Sequence, residues 1–188
     1  MKIITLRKGL VAALCMGALI LGIGVYAAVN LTIATGTISH FEPFGGPATI
    51  RMRTLTIAPG EVLGWHNHPG VGAYTIVKQG TLNLEDGCGG EQIYTAGQAF
   101  VESPGRVHRG KNLTSAEVIT AQTFIVPLGS PISIETLQVC GRPISVDECR
   151  RDGWMKFNYP RTFDSQGDCI NSVINGEYSV PNFRIRGF

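Results

Sequence analysis

The sequence predicts an all-β domain, an antiparallel barrel or sandwich of short strands. Three observations point there. Turn signals recur about every 8–12 residues through the middle of the chain. The 188 residues include 24 Gly and 10 Pro, and only 16% are charged, which suits tight turns better than long helices. After the N-terminal apolar run, no stretch carries a convincing 3.6-residue apolar period.

The chain opens with Lys2, Arg7 and Lys8, followed by an uncharged run from Gly9 to Val29. Val25-Tyr26-Ala27 offers a small-x-small processing site, so residues 1–27 read as a secretory signal. The alternative is a retained membrane anchor over residues 9–29, since about 20 apolar residues can span a bilayer. Both readings place the rest outside the cytoplasm. Lys2, Arg7 and Lys8 supply three of the 16 Lys and Arg residues, set against 14 Asp and Glu. The remainder has no basic excess and no electrostatic case for nucleic acid.

Residues 28–44, Thr- and Gly-rich with Phe41 and Phe44, read as a lead-in segment. Ile50 to Ile57 alternates in two phases and reads as a strand bulged or twisted in its middle, ended by Pro59-Gly60. Val71 to Lys78 is a β-rich run closed by Gln79-Gly80, and Thr81 to Glu85 a further strand. Gly87 to Gly90 is a turn carrying Cys88. Gln92 to Thr95 and Gln98 to Glu102 are short and extended, broken by Ala96-Gly97 and ended by Ser103-Pro104-Gly105. Residues 116–126 form a longer strand closed by Pro127. Phe100 and Phe124 are candidate core residues. After a linker at 129–131 the texture changes, and residues 140–188 read as a small irregular tail with one short helical turn capped near Ser145.

Four cysteines follow the leader: Cys88, Cys140, Cys149 and Cys169. An even number outside the cytoplasm suggests disulfides, of which three pairings are open. No CxxC knuckle supports a zinc–thiolate site.

His66 and His68 are separated by one residue, which on a strand puts both rings on the same face. His108 lies several short strands later, where an antiparallel barrel can bring it across from the pair. Three converging imidazoles suit one divalent transition ion: Zn, Fe, Mn, Ni or Cu. The flanking residues read Gly60-x5-His66-Asn67-His68, then Ala73 and Gly80, and Gly97-x5-Ser103-Pro104-Gly105-x2-His108-x3-Asn112. In these two motifs the chain resembles the cupin superfamily. The resemblance spans residues 60–112 and implies a jelly-roll, double-stranded β-helix barrel over 45–128. It implies His66, His68 and His108 as metal ligands, a small-molecule ligand or substrate, and pairing as a homodimer.

Two departures stand out. The usual proline of the second motif falls one place late, at Pro104, and the usual glutamate of the first is replaced by Ala73. Three site readings follow: three histidines with open positions, Glu102 reaching in as a substitute carboxylate, or a cavity that holds no ion tightly. Tyr74 reads as pocket wall or core, Asn67 as a pocket polar group or turn residue, and Glu102 as a cap or a partner of Arg109 before any site role. A second resemblance lies in the tail. Cys149-Arg150-Arg151-Asp152-Gly153-Trp154 and Phe163-Asp164-Ser165-Gln166-Gly167-Asp168-Cys169 resemble a cysteine-bounded segment of exported bacterial proteins. That resemblance implies the pair Cys149–Cys169, and with it Cys88–Cys140.

Three function classes fit: a metal-dependent enzyme of a small organic molecule, oxygenase-like among other chemistries; a non-catalytic small-ligand or metal-binding module; and a structural or interaction protein. No GxxxxGK[ST] segment, no GxGxxG after a strand and no serine-hydrolase elbow occurs.

Overall fold

A computed structural model describes residues 28–176. The reading of 1–27 as a signal, and most of the 9–29 anchor alternative, lie outside them. Among the described residues, no helix is long and apolar enough to cross a membrane.

The strands are β1 (Val29–Phe41), β2 (Gly46–Ile57), β3 (His66–Asn67), β4 (Ala73–Gln79), β5 (Thr81–Asp86), β6 (Glu91–Thr95), β7 (Ala99–Glu102), β8 (His108–Lys111), β9 (Val118–Pro127) and β10 (Ile134–Glu135). They form two five-stranded antiparallel sheets, in the orders β1-β2-β9-β4-β7 and β10-β3-β8-β5-β6. This is an all-β, cupin-like arrangement. Its core gathers Leu55, Ile57, Val77, Leu82 and Val118 between the sheets. β9 alternates strictly between buried and half-buried positions, so Val118, Thr120, Gln122, Phe124 and Val126 all face inward.

Two local expectations change. The lead-in over 28–44 is largely β1, a 13-residue edge strand paired with β2 and exposed along nearly all its length. Exposure on both faces removes the apolar alternation that would reveal a strand in sequence. The irregularity expected within 50–57 is absent from the β2–β9 ladder, which runs unbroken from Ala48–Pro127 to Ile57–Val118. The register shifts fall in the β1–β2 ladder instead, between Thr32 and Ala34 and between Ile38 and Phe41.

Turn glycines hold the strands' ends. Gly80 (φ +81°) closes the β4–β5 turn, and a Cβ there would meet the Glu117 carbonyl oxygen at 2.5 Å. The tail has a small core of its own: Phe157 and Phe163 pack with Cys140, Cys149 and Cys169. Its helices are α1 (Val146–Cys149) and α2 (Gln166–Ile174). The tail, expected to be irregular apart from one helical turn, also contains α2, where the Ser165 side chain accepts from the Asp168 backbone N–H as an N-cap.

Disulfides join Cys88 to Cys140 and Cys149 to Cys169. The first ties the β5–β6 turn to the chain leaving the sheets. Arg106 strengthens that junction, with Nη2 2.9 Å from Asp86 and 3.1 Å from Glu148. Closing the loop between Cys149 and Cys169 should contribute about 3 kcal/mol in the chain-entropy picture. The C149S/C169S protein is therefore expected to lose stability of about that size in denaturant unfolding. An unchanged unfolding midpoint would contradict it.

Candidate metal centre

His66 lies on β3, His68 follows that strand, His108 begins β8 and Glu102 ends β7. Register makes them converge. His66 pairs directly with His108 across β3–β8. The Gly105 N–H donates to the His68 carbonyl at 2.9 Å, tying the histidine segment to the β7–β8 turn. Gly72 (φ +83°) lets the returning chain pass close to β7, since a Cβ there would stand 2.1 Å from the Glu102 carbonyl oxygen.

The potential ligand atoms of His66, His68, Glu102 and His108 all lie within 4.8 Å of one another. The ring centroids are 4.9 Å apart for His66–His68, 4.6 Å for His66–His108 and 5.1 Å for His68–His108. His68, Glu102 and His108 are buried. The four side chains form a site for a single divalent ion.

The donor set fits an ion because of how its protons are placed. Each ring's Nδ1 faces a backbone carbonyl: His66 that of Gly64 at 2.9 Å, His68 that of Ile132 at 2.6 Å, His108 that of Arg106 at 2.9 Å. A carbonyl only accepts, so each Nδ1 donates its proton there. In the neutral rings Nε2 is then a lone pair. Glu102 Oε2 stands 2.8 Å from Nε2 of His68 and 2.9 Å from Nε2 of His108. Lone pairs of two imidazoles thus face an anionic oxygen. A cation must lie among them, either a proton or a metal ion.

The acid–base balance reflects this. Burial raises the Glu102 carboxyl, but its contacts with His108 and His68 outweigh that and hold it well below the usual range. Burial lowers His108, yet the same carboxylate raises it above the ordinary histidine value. His66 is pushed down to about 4 by burial and by the neighbouring rings. Metal uptake must displace the proton that His108 and Glu102 share. Apparent affinity is therefore expected to rise with pH and level off once His108 is neutral, in chelator-competition titrations across a pH series. Affinity independent of pH would contradict this.

Glu102 is itself held. Its Oε1 accepts from the Thr75 hydroxyl and from Gln122 Nε2, the latter at 3.1 Å, which leaves Oε2 for the cluster. Gln122 is oriented in turn by Arg53, whose Nε donates to Gln122 Oε1 at 2.7 Å. Sequence reasoning missed Thr75, Gln122 and Arg53. Polar residues in the inward phase of β4 and β9 were the signal that could have found them.

The structure brings His66, His68 and His108 together and adds Glu102. The expectation that Glu102 caps or pairs with Arg109 is corrected: Arg109 pairs with Glu85 at 2.8 Å, and Glu102 is buried in the cluster. Its position explains the missing glutamate of the first motif. Ala73, which stands where that glutamate is usual, is directly opposite Glu102 in the β4–β7 ladder. Opposed residues share a face at about 5 Å, so Glu102 delivers its carboxylate from the neighbouring strand to the same region. Tyr74 borders a surface pocket of about 460 Å3, separate from the cavity beside the histidines. Alternation turns it to the outer face of β4, where it is 50% exposed. Asn67 is buried but stands outside the four-residue cluster, because alternation turns it away from the rings.

Beside the cluster is a cavity of about 200 Å3, lined by His66, Glu102, His108, Arg53 and Gln122, with Leu55, Ile57 and Leu82 as its apolar wall. Ser133 and Glu135 also line it; neither was singled out from sequence.

Residues 53–124 match the cupin domain family. No curated protein matches the chain. Among solved structures, a conserved protein with a double-stranded β-helix domain from Klebsiella pneumoniae is similar at 16% identity and a TM-score of 0.46, over 58% of this chain and 84% of that one. An oxalate oxidase in complex with glycolate is similar at 20% identity and a TM-score of 0.40, over 46% of each chain. The oxalate decarboxylase of Lactobacillus farciminis, a formate complex, has the same identity and TM-score, over 46% of this chain and 26% of that one. The chain thus spans less than half of either oxalate enzyme, and no chemistry is carried over from them. The stretch that matches the cupin domain family, residues 53–124, contains all four side chains of the cluster.

Proposed function

We propose that the chain is a metal-dependent enzyme acting on a small organic molecule outside the cytoplasm, with His66, His68, Glu102 and His108 as its metal ligands. The supporting observation is the arrangement of donors. Three imidazole nitrogens and one carboxylate oxygen meet at a buried point, and His66, Glu102 and His108 border an open cavity. When bound, a divalent transition ion supplies Lewis acidity and, for Fe, Mn or Cu, one-electron chemistry as well. The chain's own residues orient and shield. Carbonyl-bound Nδ1 atoms fix the rings, and Thr75 and Gln122 fix the carboxylate. Leu55, Ile57 and Leu82 exclude water from one wall of the cavity. Glu135 supplies a further carboxylate outside the metal set, available to take or return a proton. It stands opposite His66 in the β10–β3 ladder. Location outside the cytoplasm is supported by the two disulfides and by the leader-like sequence of residues 1–27.

The test loads the purified protein with Fe(II), Mn(II), Cu(II) or Zn(II) and offers a panel of small acids, aldehydes and enols, following oxygen consumption and product by mass spectrometry. Turnover that disappears in the E102Q and E135Q proteins is the expected result. Tight binding of a panel member without turnover under any metal would favour the non-catalytic binding module instead.

A further inference from the structure

Arg53 is unusual for an inward-facing residue of an apolar strand end. It lies on β2 in phase with Leu55 and Ile57, which are buried in the core. Its guanidinium carbon is 4.9 Å from the centre of the Phe124 ring, whose neighbour at 5.0 Å is His68. Nε is occupied by Gln122. Among the described residues, the two terminal nitrogens make no hydrogen bond and no ion pair. Arg51 follows the same phase one pleat earlier, and its own Nε is buried without a partner among the described residues. The terminal nitrogens of Arg53 are not buried and face a cavity that solvent can reach, so a ligand can take the place of water on them.

Charge says what that ligand is. Arg53 lines the cavity together with two carboxylates, Glu102 and Glu135, and the oxygens of Glu102 are already engaged by the histidines, Thr75 and Gln122. A divalent ion, once bound, would with Arg53 outweigh the two carboxylates and leave the cavity net positive, with the guanidinium as a planar donor fork on its wall. A guanidinium fork matches a carboxylate in a bidentate fashion. The volume of about 200 Å3 lies below the ~300–1,000 Å3 of drug-sized pockets, so the ligand is small.

Resting on the metal-site reading above, we propose that Arg53 anchors the substrate and that the substrate is a small carboxylic acid, its carboxylate on Arg53 and its reacting end toward the metal. The competing structural role is narrower: Arg53 holds Gln122, and through it Glu102, and touches no ligand. The two differ in what a substitution changes.

Wild type, R53K and R53M are loaded with Co(II), their metal occupancy is measured, and each is titrated calorimetrically with acetate, acetamide and inorganic phosphate while the cobalt absorption is followed. Acetate is expected to bind wild type and acetamide not to. R53M should weaken acetate about tenfold or more at matched cobalt loading, the scale of a hydrogen bond between charged groups. R53K, which keeps the charge without the fork, should fall between, and it carries the test if R53M does not fold. Acetate affinity unchanged in either variant would overturn the proposal. So would equal binding of acetamide, or phosphate binding tighter than acetate. If wild type takes up no cobalt, the metal reading has failed by itself. The same titrations on the metal-free protein then decide Arg53: Arg53-dependent acetate binding supports the anchor, and its absence overturns it.

Discussion

Replacing Glu102 by glutamine is expected to remove metal binding while leaving the fold intact. The wild-type carboxylate accepts from Thr75 and Gln122 through Oε1 and presents Oε2 to Nε2 of His68 and His108. A glutamine amide can keep the first set of contacts with its oxygen. Its NH2 then donates to the imidazole lone pairs that the carboxylate faced. The cluster becomes a satisfied hydrogen-bond network with no anionic donor. Loss of a residue that merely orients a ligand costs about 10–100-fold in metal affinity, so loss of the donor itself should exceed about 100-fold. Stability should change by only ~1 kcal/mol, the net worth of a hydrogen bond.

The same substitution should alter how the metal-free protein responds to pH. Glu102 is depressed in the fold, so its contribution is present above its unfolded value and lost as pH falls through the folded one. His108 is raised, so its contribution is full below the ordinary histidine range and lost as pH rises through its folded value. Both terms need the carboxylate. E102Q should therefore flatten the pH dependence of unfolding at both ends. Dye-competition metal titration and pH-dependent denaturation read the two effects. Wild-type metal affinity in E102Q would show that the carboxylate is not a ligand.

Moving the carboxylate across the sheet should move the site with it. Ala73 is fully buried and directly opposite Glu102. In the wild-type background, A73E crowds a packed position and sets a second carboxylate beside the first. It should destabilise by about 1–3 kcal/mol. E102A alone should lose the ion by about 100-fold or more, as E102Q does. In the double variant A73E/E102A the vacated space accepts the new side chain, and metal binding should return. A double variant that binds no better than E102A would refute the claim that the two positions are interchangeable across the β4–β7 pair.

These comparisons mark where sequence could and could not see the site. His66 and His68 were legible from strand alternation, a property of two residues. His108 came from the spacing of glycines and a histidine that resembles the cupin pattern. Glu102 could be named but not placed, because its position depends on the β4–β7 register, set by residues far apart in the chain. Tyr74 could not be assigned to one face, because β4 carries apolar side chains on both: Val77 is buried while Tyr74 and Ile76 are exposed, so hydrophobicity alone does not give the phase. β9 has the same ambiguity, since Ile119 and Ile125 alternate with Val118 and Phe124. Gln122 consequently went unread, although a buried glutamine in a core strand demands a partner. α2 spans nine residues, too few for periodicity to stand out, and only the Ser165 cap announces it.

The central claim is that four side chains, three histidines and Glu102, hold one ion. Its most direct test is metal stoichiometry of the protein made without a histidine tag, measured by native mass spectrometry after equilibration with Zn(II) or Mn(II), for wild type and for H66A, H68A, E102Q, H108A and the triple-histidine variant. One ion per wild-type chain, lost or sharply reduced in each single variant, is the predicted result. Stoichiometric binding that survives removal of all three histidines, or no uptake by the wild-type chain at any pH above the histidine range, would contradict it.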